Sequence, residues 1–72
     1  MKLRYDREED ILTIETSSEK IDFAEELGPI IVHFSKGNKP VLLEILNASD
    51  FLTSVTRLTM KTKAGEPVEL EF

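Results

Sequence analysis

Two apolar runs dominate the pattern along the chain: Ile30-Ile31-Val32-His33-Phe34 and Val41-Leu42-Leu43-Glu44-Ile45-Leu46. Both have strand length and the β-branched, aliphatic composition that suits a pleated, half-buried surface. Between them, Gly37 and Asn38 accept positive φ, and Pro40 starts the second run, where a missing donor is tolerated. Residues 28–49 (GPIIVHFSKGNKPVLLEILNAS) therefore read as a hairpin leading into a helix, and the rest of the chain is arranged around it. Alternation puts Ile30, Val32 and Phe34 on one face of the first strand, and Val41, Leu43 and Ile45 on one face of the second. The opposite faces carry Ile31 and His33, then Leu42, Glu44 and Leu46. That is more apolar than open solvent favours, which predicts cover from a helix or a second copy of the chain.

Upstream, residues 1–5 and 11–15 alternate as a second hairpin around the polar turn Asp6-Arg7-Glu8-Glu9-Asp10, with Leu3, Tyr5, Leu12 and Ile14 inward. Residues 16–20 form a polar loop. Residues 21–27 are ambiguous: Ile21 and Phe23 alternate, yet Ala24-Glu25-Glu26-Leu27 favours helix. They are expected to form an irregular or extended connector ended by Gly28-Pro29, since a residue before proline avoids the helical region. Downstream, Ser49 or Asp50 is placed to cap a helix over about residues 49–60, with Phe51, Leu52, Val55 and Leu58 as its apolar stripe. A short strand or tail follows. In the competing reading residues 55–62 are a strand paired with 68–72. The expected fold is α+β: a small antiparallel sheet of two hairpins followed by a C-terminal helix.

Seventy-two residues make one domain. A chain this short buries only about 60% of its unfolded surface and usually needs a disulfide, a metal or self-association. There is no cysteine and one histidine, which removes disulfides and thiolate metal sites and leaves little for a nitrogen-rich one. No cofactor is expected, and a homodimer is. No run reaches membrane-spanning length and no signal-peptide pattern opens the chain, so a cytoplasmic protein is expected. The net charge of −5 is uneven: residues 1–27 hold four basic and nine acidic groups, whereas residues 51–72 hold three of each. An acidic front half disfavours nucleic acid, whose binding rests on Lys and Arg, and suits a basic protein partner.

Three blocks resemble a known family: residues 5–14 (YDREEDILTI), 28–34 (GPIIVHF) and 40–49 (PVLLEILNAS). They are similar to the opening Y-D-x-x-x-D-x-L-Y-I and the later V-G-I-E-I-L-D-A-S of the small prokaryotic domain of unknown function numbered 2283. Thr13, Leu42 and Asn47 depart from the usual Tyr, Gly and Asp. The resemblance covers residues 1–50 and leaves 51–72 as an extension. It implies a small antiparallel sheet followed by a helix, no established activity, and an antitoxin-like role beside a small toxin.

Four residues carry candidate chemistry. Asp6 and Asp10, with Glu8 and Glu9, invite a divalent-metal reading. Asp6, Glu8 and Asp10 match calcium-loop positions one, three and five, but Ile11 stands where glycine is required and Ser17 where a bidentate Glu belongs. A solvated turn capped by its own aspartates is the expectation. His33 is the one side chain able to act as a base near neutrality. Glu44, between apolar neighbours, needs a partner such as Arg57, His33 or a backbone amide. Gly37 and Gly65 belong to no phosphate-binding pattern. The leading expectation is a noncatalytic interaction module. The alternatives are a small-ligand or hydrolytic site built from His33 and Glu44 at a dimer cleft, and a nucleic-acid binder through Arg57, Lys61 and Lys63.

Overall fold

The computed structural model describes residues 1–61 together with Gly65, Pro67 and Glu69. Five strands precede one helix: β1 (Lys2–Asp6), β2 (Ile11–Glu15), β3 (Phe23–Leu27), β4 (Ile30–Phe34), β5 (Pro40–Leu46) and α1 (Ala48–Lys61). They form one antiparallel sheet in the order β1-β2-β5-β4-β3. The fold is α+β, as the hydrophobic pattern indicates, and β5 lies at its centre.

Both expected hairpins are present, and a third joins them. Residues 23–27 are a paired strand and not an irregular connector, with Phe23 opposite Phe34 and Leu27 opposite Ile30. The two-residue loop Gly28-Pro29 explains this. Gly28 takes φ 60°, and proline supplies the negative φ that follows, which is the hairpin turn requiring glycine at its first central position. The Phe23 and Phe34 rings stack with centroids 5.1 Å apart and planes 17° apart. This pairing outweighs the helical preference of Ala24-Glu25-Glu26-Leu27, which is weak over so few residues.

Residues 16–22 carry the chain from β2 across the end of β5 and β4 to the far edge. The segment is tied down as it passes. Val41 O accepts the Thr16 and Ser17 amides at 2.9 and 3.4 Å, and Phe34 O accepts the Asp22 amide at 2.7 Å. Thr16 Oγ1 donates to Pro40 O at 2.8 Å. Phe34 faces Pro40 while His33 faces Leu42, so Val41 is the extra residue of a bulge. Pro40, lacking an N–H, opens β5 beside that bulge, as its chemistry requires.

The register gathers Leu3, Tyr5, Leu12, Ile14, Leu43, Ile45, Ile30, Val32, Phe34, Phe23, Glu25 and Leu27 on one face. Glu25 is its only charged strand residue. The other face carries Lys2, Arg4, Thr13, Glu15, Glu44, His33 and Glu26 among Ile11, Ile31, Leu42 and Leu46. Val32, Val41 and Ile45 are the buried strand hydrophobics, and among the described residues no large side chain is fully enclosed.

The helix prevails over the competing strand reading. Thr53 and Thr59 fold their hydroxyls back onto the Ser49 and Thr56 carbonyls, each at 2.8 Å, a local bond that lets threonine sit within a helix. Phe51, Val55 and Leu58 are half-buried, but Leu52 is exposed. Ala48, at the start of the helix, is fully buried. The expected C-terminal strand or tail, and the pairing of residues 68–72, lie outside the described residues.

Candidate functional site

His33 on β4 and Glu44 on β5 share the mixed face as diagonal neighbours, since His33 faces Leu42 and Ile31 faces Glu44. His33 Nε2 lies 2.5 Å from Glu44 Oε1. The two side chains are 21% and 30% exposed. Of the partners considered for Glu44, His33 is the one in contact. The contact engages one ring nitrogen of His33 and one carboxylate oxygen of Glu44 and holds the two groups together. The hollow of about 410 Å³ beside α1 is lined by Gly28, Pro29, Leu46, Asn47, Asp50, Phe51 and Ser54, and by neither of the pair.

Asp6 and Asp10 close opposite ends of the β1–β2 turn. Asp6 Oδ1 accepts the Glu8 and Glu9 amides at 3.0 and 3.1 Å, an aspartate-capped turn that leaves its carboxylate occupied by backbone. Among the described residues no group of three or more His, Cys, Asp or Glu is arranged to hold a metal ion.

Asp10 does something the linear pattern does not announce. At φ 56° it turns its backbone toward the start of α1. Its Oδ1 accepts the Tyr5 hydroxyl at 2.7 Å and the Ser49 amide at 3.0 Å, and its Oδ2 accepts the Ser49 hydroxyl at 2.6 Å. Its carbonyl accepts the Ala48 amide at 2.9 Å. The first amides of a helix have no partner within it and must find one elsewhere. Here Ala48 and Ser49 find theirs in Asp10. Ser49, expected to cap with its own oxygen, instead donates to the cap. Asn47, at φ 49°, makes the sharp bend from β5 into α1, and its carbonyl accepts the Asp50 and Phe51 amides at 3.1 and 3.3 Å.

These bonds act on the titration of both partners. Ser49's hydroxyl first, then Tyr5, hold the Asp10 carboxyl below its ordinary value. The same Asp10 bond, with some burial and the nearby negative charge, pushes the Tyr5 phenol up.

The four candidate residues thus separate into three places. His33 and Glu44 meet, Asp6 serves its own turn, and Asp10 clasps the helix. Sequence reasoning missed the last role and the acidic edge strand β3, all five of whose residues are exposed. The signal for β3 was the Gly28-Pro29 dipeptide between two short runs. For the clasp there was no local signal, because its halves are 39 positions apart.

An open five-stranded antiparallel sheet, followed by one helix capped from the first hairpin, defines a small α+β domain. The family model described as a protein of unknown function, DUF2283, matches residues 2–49, and the chain belongs to that family. The match ends at Ser49, so the family segment contains every strand and both sides of the clasp. No curated protein and no solved structure matches the chain. Among the described residues no helix is long and apolar enough to cross a membrane.

Proposed function

We propose that the chain is a noncatalytic interaction module that binds a small basic protein, in the manner of an antitoxin-like partner. The observation that carries this reading is the acidic edge strand. β3 is exposed throughout and presents Glu25 and Glu26 beside an outer backbone edge that no other described strand pairs. Asp22 and Glu19 precede it on the crossover and are exposed as well. An exposed strand edge is a template for main-chain pairing, and its charges select the partner. Five surface hollows among the described residues are lined without either His33 or Glu44, which supports a structural role for the pair.

Coexpression with the adjacent gene, followed by purification, tests the proposal. A stoichiometric complex is expected, with capture weakened by salt and reduced about tenfold by Glu25→Lys with Glu26→Lys, because complementary charge governs such encounters. Recovery of the free chain alone counts against it.

A further inference from the structure

We infer that the basic edge of the sheet, β1, pairs with the acidic edge, β3, of a second copy, so that copies join head to tail and the sheet continues from one into the next. This rests on the reading of β3 as an edge open to main-chain pairing, and it assigns the occupant of that edge when the basic partner is absent.

The two edges differ in sign. β1 carries Lys2 and Arg4, β3 carries Glu25 and Glu26, and all four side chains are exposed. Among the described residues none of the four has an ion-pair partner. Charge on an edge strand guards it against a like edge, because like charges opposed across strands are destabilising. That disfavours β1 on β1 and β3 on β3, the pairings a two-fold axis would make. It is no guard against an edge of opposite sign, whose charges attract. Exposed apolar side chains gather at the same two edges. Leu3 on β1 is 61% exposed and Leu27 on β3 is 59% exposed, with Tyr5 and Phe23 also exposed beside them. Within one chain the two groups are separated by β2, β5 and β4. Across a β1–β3 junction they meet.

Direction and face follow from the topology. Every neighbouring pair in the order β1-β2-β5-β4-β3 is antiparallel, so β1 and β3 run the same way. A copy shifted sideways lays its β1 parallel to β3 with matching faces on the same side. Side chains alternate between faces. Leu3 and Tyr5 share the face of Phe23, Glu25 and Leu27, whereas Lys2 and Arg4 share the face of Ala24 and Glu26. With Arg4 level with Glu26, Lys2 lies beside Ala24, Leu3 lies between Phe23 and Leu27, and Tyr5 lies beside Leu27. Asp6 then falls beyond the glutamates, beside Gly28. Turning the copy over to pair antiparallel would bring Asp6 toward Asp22 and set Lys2 and Arg4 among Phe23 and Leu27. Charge and face therefore both favour the parallel junction. Each added copy leaves one β1 and one β3 free, so association continues unless the twist of the sheet closes it into a ring.

The test is sedimentation equilibrium of the full chain and of two charge-reversed variants. The unchanged chain should reach at least twice its 8.2 kDa mass as concentration rises. Lys2→Glu with Arg4→Glu, and Glu25→Lys with Glu26→Lys, should each stay at the single-chain mass with the far-ultraviolet spectrum kept, since all four positions are exposed. Mixing the two variants in equal amounts restores opposite signs at both kinds of junction and should recover the association. A sample of labelled and unlabelled protein should show intermolecular NOEs between the Tyr5 ring and the Leu27 methyls. A monomer at the highest soluble concentration overturns the inference. So do variants that associate as strongly as the unchanged chain, or a mixture that stays monomeric. Intramolecular NOEs from residues 68–72 to β1 or β3 overturn it too, since the chain would then cover its own edge. The two readings fail separately: a monomer that still captures the basic partner removes only the head-to-tail pairing, and association without capture removes only the partner role.

Discussion

Asp10 and Ser49, 39 positions apart, are joined twice: the carboxylate accepts the Ser49 amide at 3.0 Å and its hydroxyl at 2.6 Å. The cap of α1 is therefore a tertiary contact, and the helix is anchored to the first hairpin as well as to the strand it follows.

Removing either half should loosen the helix. Ser49→Ala keeps the amide bond but loses the hydroxyl, and is expected to cost about 1 kcal/mol in urea unfolding, the scale of a lost cap. Asp10→Gly keeps the left-handed backbone and removes the carboxylate, so it isolates the cap from strain. It should lower the melting temperature and the helical ellipticity more than Asp10→Asn, which retains an acceptor and also tolerates positive φ. Equal melting of Asp10→Gly and the unchanged protein would show that the carboxylate contributes nothing.

The clasp should respond to pH at both ends. Asp10's folded value lies below the ordinary 3.8, so its contribution is present above that value and lost as pH falls through the lower folded one. Tyr5's folded value lies above the ordinary 10.0. Its contribution is therefore present below that value and lost as pH rises through the higher folded one. Helical ellipticity followed from neutrality in both directions should fall at both extremes. Tyr5→Phe should abolish the alkaline loss and weaken the acid one.

His33 and Glu44 should behave as one unit. A double-mutant cycle with His33→Phe and Glu44→Gln is expected to give a coupling of about 1.5–3 kcal/mol, the range for a hydrogen bond involving a charged group. Additive losses would mean that the 2.5 Å contact contributes no net stability.

Gly28 should be the sensitive residue of the β3–β4 turn. At φ 60° an alanine there is disfavoured by about 1–2 kcal/mol. Native-state hydrogen exchange of Gly28→Ala should speed up first at the β3–β4 amides, leaving β2 and β5 protected. Uniform acceleration across the sheet would show that β3 does not open independently.

The strands with clean alternation were legible, since each side chain on a pleated strand declares its face. Leu12 and Ile14 do meet Ile45 and Leu43, as their spacing implies. The helix was legible from Phe51, Val55 and Leu58 despite its threonines. β3 was obscured because Glu25 and Glu26 suit an exposed edge strand and a helix equally well, and only the turn chemistry of Gly28-Pro29 separates the two. The His33–Glu44 contact was among the partners foreseen for a carboxylate between apolar neighbours. The Asp10 clasp was hidden because capping rules are local, while this cap bridges two hairpins brought together by β5.

That central strand is also the last of the five described strands to be synthesised. Until residues 40–46 leave the ribosome, β2 has only β1 beside it, and β4 has only β3. Two isolated hairpins of five-residue strands are marginal in water. The nascent chain thus has no lasting sheet until β5 slots between them, and assembly is governed by one late insertion instead of growing from the N-terminus.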